Sequence, residues 1–549
     1  MVDQVMIGGE THGRGLITGK RENRSSWTGM GVSMALILGF LMVTEMQTWA
    51  LIVAIALSLM AFFLWSEYES LDNQSPPLWA VDRLWARYSQ RSGTAKFVPR
   101  RLVPEDDRPI INKAGRASTK AKEETRVRPV KAKPAKERKA LRRSRVTEVN
   151  QRTGLGADVP VAVGHIEPLI MPLETGENVC FLRHYTRDNG GAGYLSVMLE
   201  KAASRTGVID TGSAGLSGEA WGQWCASLAA HSSFVSSVQE TARVVPWDYS
   251  DHRAWLLDKF DPESPEAVRA SYAELMGVIH REAEQHRHWV TLRIPRTAMW
   301  QVHAMKYGTG DNAEILAAWD QTKAAIEAGK ARGIALRALG EQRSAAVIRA
   351  LQDPDMPIDK NEDVDWSTCW LKYDGTPTDR VIFNGSQREW HTATARVPKG
   401  GWSPGWLPVD FLRPLITGVS PAVVRTLSVT QRLHPAGAAR KQARLDVASD
   451  VIMLRKTRDR VTDGAEETQT MASKQRLRDL RPGSSSAGSD FTFGLTFQSP
   501  SSDDFAEEHR VMGAAAEDAE ITRLKWMDRR HRDAWVSTLP LGRGVRGKG

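Results

Sequence analysis

The chain contains 549 residues, enough for two to four domains, and its 41% apolar and 25% charged residues exclude wholesale disorder, a collagen-like fibre and a small disulfide scaffold. The net charge is +9, but Lys96–Arg145 holds 18 Lys/Arg against 6 Asp/Glu, so the rest of the chain carries −3. A uniformly basic fold is therefore excluded, and the charge indicates one polyanion-facing segment.

Following an N-terminal tail (1–26), the segment 27–65 is predicted to form a transmembrane helical hairpin. Trp27–Thr44 and Trp49–Trp65 are uncharged and each long enough for a helix of about 25–27 Å, with a short polar break between them. Indole side chains prefer the membrane interface, and tryptophans stand at the ends of both stretches. The predicted interface residues are Trp27, Trp49 and Trp65. A single longer span with an interfacial flank is the alternative.

Basic residues flank this hairpin on both sides, including Lys20 and Arg21 before it and Arg83 and Arg87 after it. The turn of the hairpin contains no Lys or Arg. The positive-inside rule therefore predicts a multi-pass protein of the cell membrane with both termini in the cytoplasm.

Residues 66–158 are predicted to be a basic, partly disordered juxtamembrane tether, because proline and dense positive charge leave too little apolar surface for a core. Its most basic part is the candidate site for anionic lipid or non-specific DNA. The candidate polyanion-binding residues are Lys131, Lys133, Lys136, Arg138, Lys139, Arg142, Arg143 and Arg145. The alternative is a solvated linker that binds neither.

Beyond the tether, helix and strand patterns alternate in two α+β units, 159–360 and 361–549, with the acidic loop Pro354–Asp365 near their boundary. In the first unit, the alternation of Val290–Ile294 predicts a half-buried strand. In the second, Gly437–Arg481 predicts a long charged helical segment, and Phe491–Gln498 alternates apolar and polar residues throughout. The element order favours a ferredoxin-like, split β-α-β arrangement in each unit.

A search for catalytic chemistry gives no candidate site. Gly13–Arg21 approaches a phosphate-binding loop, but arginines occupy the positions of an essential glycine and of the magnesium-binding hydroxyl. His280, His286 and His288 form the densest group of metal-type ligands, without a recognised metal-binding spacing. Cys180, Cys225 and Cys369 are scattered and odd in number, so we expect reduced, buried thiols. We therefore expect no catalytic, cofactor-binding or metal-binding residues, and no cofactor.

Three features together carry a family resemblance: the basic N-terminus ending at Gly19–Arg21, the apolar pair of stretches, and the end of the chain with its Leu-Pro-Leu-Gly sequence at Leu539–Gly542. With these features the chain resembles the PrgI-like integral membrane family of conjugative, type IV-secretion-like systems in high-GC Gram-positive bacteria. In that family a two-span membrane component is fused to a cytoplasmic region similar to the N-terminal half of the type IV secretion ATPase.

The resemblance implies a non-enzymatic inner-membrane scaffold that docks a separate ATPase and other channel subunits and forms oligomers within that complex. In ATPase relatives a nucleotide-binding domain follows the Leu-Pro-Leu-Gly segment, whereas only Arg543–Gly549 follow it here. We also expect Arg529–Leu541 to contribute to partner docking. Two alternatives remain: an EccE-like structural subunit of a type VII secretion system, and a membrane-tethered enzyme with an unrecognised site.

Overall fold

The computed structural model describes residues 4–7, 33–35, 37–38, 42, 48–65, 76–91, 95–99, 102, 110–111, 117–118, 155–157, 159–186, 192–201, 211–247, 250–259, 261, 263–356, 358–360, 363–398, 401–403, 405–457, 465–481 and 486–543. Three predicted features lie outside these ranges: Trp27, the phosphate-loop-like sequence, and the eight basic candidate residues between Lys131 and Arg145. Trp49 and Trp65 lie within a described helix, but their side chains lie outside the described part.

Near the N-terminus the structure contains strand β1 (Gln4–Ile7) and helices α1 (Thr48–Trp65) and α2 (Pro76–Arg91). At 1.5 Å per residue, the 18 residues of α1 extend about 27 Å. Among the described residues, no helix meets both the length and the hydropathy required to cross a membrane. On this finding the predicted transmembrane hairpin (27–65) is wrong, and so is the multi-pass membrane localisation that depended on it.

A large, mostly antiparallel sheet organises the remainder of the described chain. Its strands are β2 (Lys96–Pro99), β5 (Leu155–Ala157), β6 (Ile166–Pro172), β7 (Asn178–His184), β8 (Tyr194–Lys201), β9 (Ser237–Pro246), β10 (Glu284–Pro295), β11 (Leu336–Ala338), β12 (Tyr373–Asp374), β13 (Val381–Asn384), β14 (Glu389–Arg396), β16 (Val424–His434), β17 (Gly488–Ser499) and β18 (Lys525–Trp526). The order is β5-β2-β12-β13-β14-β17-β16-β9-β10-β8-β7-β6, with β11 beside β8 and β18 beside β14. Short pairs are formed by β3 (Ile110–Ile111) with β4 (Ala117–Ser118), and by β1 with β15 (Gly405–Pro408).

This strand order contains an internal repeat. In the first unit β8 and β9 are both antiparallel to β10, which lies between them, so they are parallel to each other in a split β-α-β arrangement. In the second unit β14 and β16 flank β17 in the same way. The units meet through the antiparallel pair β9–β16, from Ser237 opposite Arg432 to Val244 opposite Arg425. The two halves therefore share one sheet with mirrored strand order.

The helices lie between these strands in the chain. They are α3 (Thr211–Leu228), α4 (Ser250–Lys259), α5 (Glu266–Glu282), α6 (Ala298–Ala304), α7 (Gly310–Lys330), α8 (Glu341–Ala350), α9 (Arg413–Thr417), α10 (Ala436–Thr457), α11 (Ala465–Asp479), α12 (Phe505–Asp518) and α13 (His531–Ala534). Apolar side chains of α3, α6 and α7 pack with one sheet face of the first unit, and those of α9 and α12 pack with the second unit. Helix α8 and the C-terminal residues cover the opposite face.

Strand alternation divides side chains between these two packed layers. Val290, Leu292 and Ile294 of β10 belong to the layer with α3 and α7, whereas Thr291 and Arg293 point the other way and are also buried. The expectation of a half-buried strand is therefore wrong: both faces of β10 are covered. In the acidic loop, the carboxylate of Asp359 pairs with Arg343 of α8 at 2.7 Å.

Candidate functional site

The C-terminal segment (residues 535–543) lies across the sheet where the two units meet. The amide of Gln239 on β9 donates to the carbonyl oxygens of Ser537 (3.1 Å) and Leu539 (2.8 Å) and to the hydroxyl of Ser428 (2.8 Å). Its carbonyl oxygen accepts from the backbone N–H of Gly542 (2.8 Å). One buried side chain from the first unit therefore connects β16 with the end of the second unit.

Two further contacts hold the same segment. The hydroxyl of Tyr194 donates to the carbonyl of Leu541 (3.1 Å), and a guanidinium N–H of Arg293 donates to the carbonyl of Gly542 (3.3 Å). Gly542 has φ +65°, a left-handed conformation that favours glycine. Trp535 and Leu541 are buried in the core. The Leu-Pro-Leu-Gly sequence is thus part of the packed fold. The contribution of Arg529–Leu541 to partner docking stays a prediction.

Polar side chains continue along this buried sheet face. The guanidinium of Arg243 donates to the hydroxyl of Thr426 (2.7 Å) and to the amide oxygen of Gln498 (2.5 Å). Within the described residues it has no carboxylate partner, and burial lowers the pKa of Arg243 to about 9. Hydroxyl groups of Thr496 and Thr538 lie 2.9 Å apart. Thr538 belongs to the C-terminal segment, so this last contact also holds that segment on the sheet.

The sequence-predicted histidine group is not assembled as a metal site. Nε2 of His286 lies 3.3 Å from a carboxylate oxygen of Glu284, which also accepts from Arg425. Burial lowers the pKa of His288, and the side chain of His280 lies outside the described part. Among the described residues, no group of three or more His, Cys, Asp or Glu side chains is arranged to hold a metal ion.

The three cysteines are buried free thiols, which confirms that expectation. Burial raises the pKa of Cys180 to about 12 and that of Cys225 to about 12. Both side chains are therefore protonated at neutral pH and behave as small apolar groups.

An exposed apolar face on α6 and the turn after it was not found by sequence reasoning. Met299, Val302 and Met305 are 76%, 63% and 69% exposed, although each is large and apolar. Their spacing of three residues places them on one side of the helix. The spacing of apolar residues over Ala298–Met305 could have indicated that these three side chains share one face. Their exposure to solvent depends on which side of the helix the sheet covers.

The opposite side of α6 is anchored firmly. Trp300 is fully buried, and its indole N–H donates to a carboxylate oxygen of Glu314 at 3.1 Å. The carboxylate of Glu314 also pairs with Arg183 (2.9 Å) and Arg296 (2.5 Å). A buried carboxylate with two guanidinium partners and an indole donor fixes α6 on the sheet, so its apolar face is presented in one orientation.

Comparison with known proteins adds no relative: no protein family model matches the chain, and no curated protein matches it.

Proposed function

We propose that this chain is a non-enzymatic scaffold that docks a separate ATPase within a secretion or DNA-transfer apparatus. The observation that carries the docking role is the apolar face of Met299, Val302 and Met305. The helix that presents it is held through Trp300, whose indole donates to the ion-paired carboxylate of Glu314. Exposed contiguous apolar side chains mark protein–protein contact sites. The nature of the apparatus comes from the resemblance of the C-terminal sequence, including Leu539–Gly542.

A scaffold needs a surface whose position is fixed relative to the rest of the molecule. The β9–β16 pair joins the two units into one sheet, and Gln239 ties the C-terminal segment across that junction. A partner bound at α6 is therefore held in register with both units. Preorganisation of this kind reduces the ordering cost of association, so modest apolar surfaces give useful affinity.

The test is recovery of an ATPase with the tagged full-length chain from its native cells, measured by quantitative mass spectrometry. Replacing Met299, Val302 and Met305 with serine removes the apolar contacts without touching the buried side of α6. We expect ATPase recovery to fall at least about tenfold, which corresponds to about 1.4 kcal/mol of binding free energy.

The matched control replaces three exposed apolar residues of α5, namely Val268, Leu275 and Val278, with serine. Both variants lose three apolar side chains from a helix surface, so a general effect on solubility would affect both. Equal recovery from the α6 variant and the unmodified chain, or loss only in the α5 variant, contradicts docking at α6. Absence of any ATPase with the unmodified chain contradicts the scaffold proposal itself.

A further inference from the structure

Helices α10 and α11 form an antiparallel pair whose geometry is set by contacts along its seam. Ala443 and Leu480 are buried between the helices, and Nε of Arg440 donates to the carbonyl of Leu480 at 2.7 Å. The carboxylate of Asp446 pairs with Arg476 across the seam. These contacts fix the spacing of the two helices and the side chains that line the groove between them.

That groove has a volume of about 390 Å³ and a cationic lining. Its lining residues are Arg440, Arg444, Lys474, Leu477, Arg478 and Arg481. Arg440 and Arg444 are four residues apart on α10, as are Lys474 and Arg478 on α11, so each pair lies on one helix face. A neighbouring groove of about 460 Å³ shares Arg440 and Arg444 and adds Lys441, which extends the cationic surface along α10.

Asp446 and Asp479, two acidic residues close in sequence to the lining cations, contact groups that do not belong to that lining. The carboxylate of Asp446 is paired with Arg476, and that of Asp479 accepts from the amide of Gln475. Throughout the described part of the chain, Arg444, Arg478 and Arg481 have no carboxylate within ion-pair distance. Like charges held close together raise the electrostatic free energy of the folded chain. An anion bound in the groove lowers that free energy again.

We propose that the α10–α11 groove binds the phosphate backbone of nucleic acid without sequence preference. A groove lined by cations on both sides fits a chain of phosphates, whereas the surface of a lipid bilayer is flat. Arginine binds phosphate oxygens in a bidentate manner, and four of the five lining cations are arginines. The apolar lining residues are the aliphatic Leu477 and Leu445, not aromatic rings for base stacking, so the backbone is the recognised feature. This inference does not depend on the ATPase-docking proposal.

The first test is a protection experiment on the full-length chain with a 30-nucleotide single-stranded oligonucleotide of mixed sequence. Lysine acetylation by an impermeant reagent is quantified by mass spectrometry with and without the oligonucleotide. We expect the acetylation rate of Lys474 to fall at least fivefold, and that of exposed Lys323 on α7 to stay constant. Unchanged acetylation of Lys474 in a chain that binds the oligonucleotide overturns the proposal and assigns binding to the basic tether.

The second test compares affinities across salt concentrations. The groove variant combines three substitutions: Arg444→Gln, Arg478→Gln and Arg481→Gln. A control variant lowers the net charge by the same three units at exposed sites away from the groove, through Lys306→Gln, Lys323→Gln and Lys330→Gln. We expect only the groove variant to lose about two units of the slope of log affinity against log salt, because each phosphate contact on a single strand contributes about 0.7. Equal slopes for the two variants, or binding of phosphatidylserine vesicles but not of the oligonucleotide, overturn the proposal.

Discussion

Replacing Gln239 by leucine is the sharpest probe of how the two units are held together. The side chain is 1% exposed and lies within hydrogen-bond distance of four polar groups, three of them backbone groups of the C-terminal segment. Leucine is close to glutamine in size, so the substitution removes the polar groups and leaves little cavity. The measured effect then reports the loss of hydrogen bonds at the junction.

The magnitude follows from the groups left without partners. The N–H of Gly542 and the carbonyl of Leu539 each have Gln239 at 2.8 Å and are buried with the segment. A buried polar group deprived of its partner costs about 1–3 kcal/mol, so two such groups predict a loss of about 2–6 kcal/mol in the free energy of unfolding. A loss of this size is a large fraction of the stability of an ordinary domain.

Urea unfolding followed by tryptophan fluorescence measures this change, since Trp535, the first residue of the segment, is buried in the core. The matched control is Gln223→Leu, because Gln223 is exposed on α3 and its amide donates to Glu219 at 3.1 Å. The control is expected to shift the free energy by less than about 0.5 kcal/mol. A Gln239→Leu variant as stable as the control would refute the view that this side chain clamps the C-terminal segment.

The remaining predictions concern chemistry and pH. The purified chain is expected neither to bind nor to hydrolyse ATP in titration calorimetry and phosphate-release assays; turnover that is lost in a Lys20→Ala variant would contradict the rejection of the phosphate loop. A peptide covering Lys96–Arg145 is expected to bind DNA or anionic vesicles with steep salt dependence in fluorescence anisotropy, and no binding at low salt would favour a plain linker. Burial raises the pKa values of Cys180 and Cys225 to about 12. Their maleimide labelling at pH 8 should therefore be at least about 100-fold slower in the native chain than in denaturant. Equal labelling rates would contradict the burial of these thiols. Burial lowers the pKa of His184 below 6.5, so below that pH the unfolded chain binds more protons than the folded chain. The free energy of unfolding therefore falls as the pH drops below 6.5, by about 1.4 kcal/mol per pH unit for this group. His184→Gln should weaken that pH dependence in urea unfolding between pH 7.5 and pH 5, and an unchanged dependence would exclude His184 as its source.

Local patterns were a good guide to individual elements. The alternation of Phe491–Gln498 predicts a strand, and these residues lie within β17. The charged segment Gly437–Arg481 predicts helix, and α10 and α11 occupy most of it. These predictions succeed because strand and helix periodicities depend on which neighbours along the chain share a face.

Apolar composition was a poor guide to the N-terminal region. A run of uncharged residues predicts a membrane span from hydropathy alone. In the described part of the chain, however, no helix is both long enough and apolar enough to cross a membrane. Length along the helix axis is a property of the folded segment, and it is determined by where the helix begins and ends.

The alternation of side chains along β10 and β17 and the positive charges of α10 and α11 follow directly from the amino-acid sequence. Burial of Thr291, Arg293 and Gln498 depends instead on tertiary packing, because a second layer containing the C-terminal segment covers that face. It also decided that cations far apart in the sequence line one groove, and that Met299, Val302 and Met305 face outward. The physical reason is that periodicity specifies the sides of an element, whereas burial depends on what distant parts of the chain place against each side.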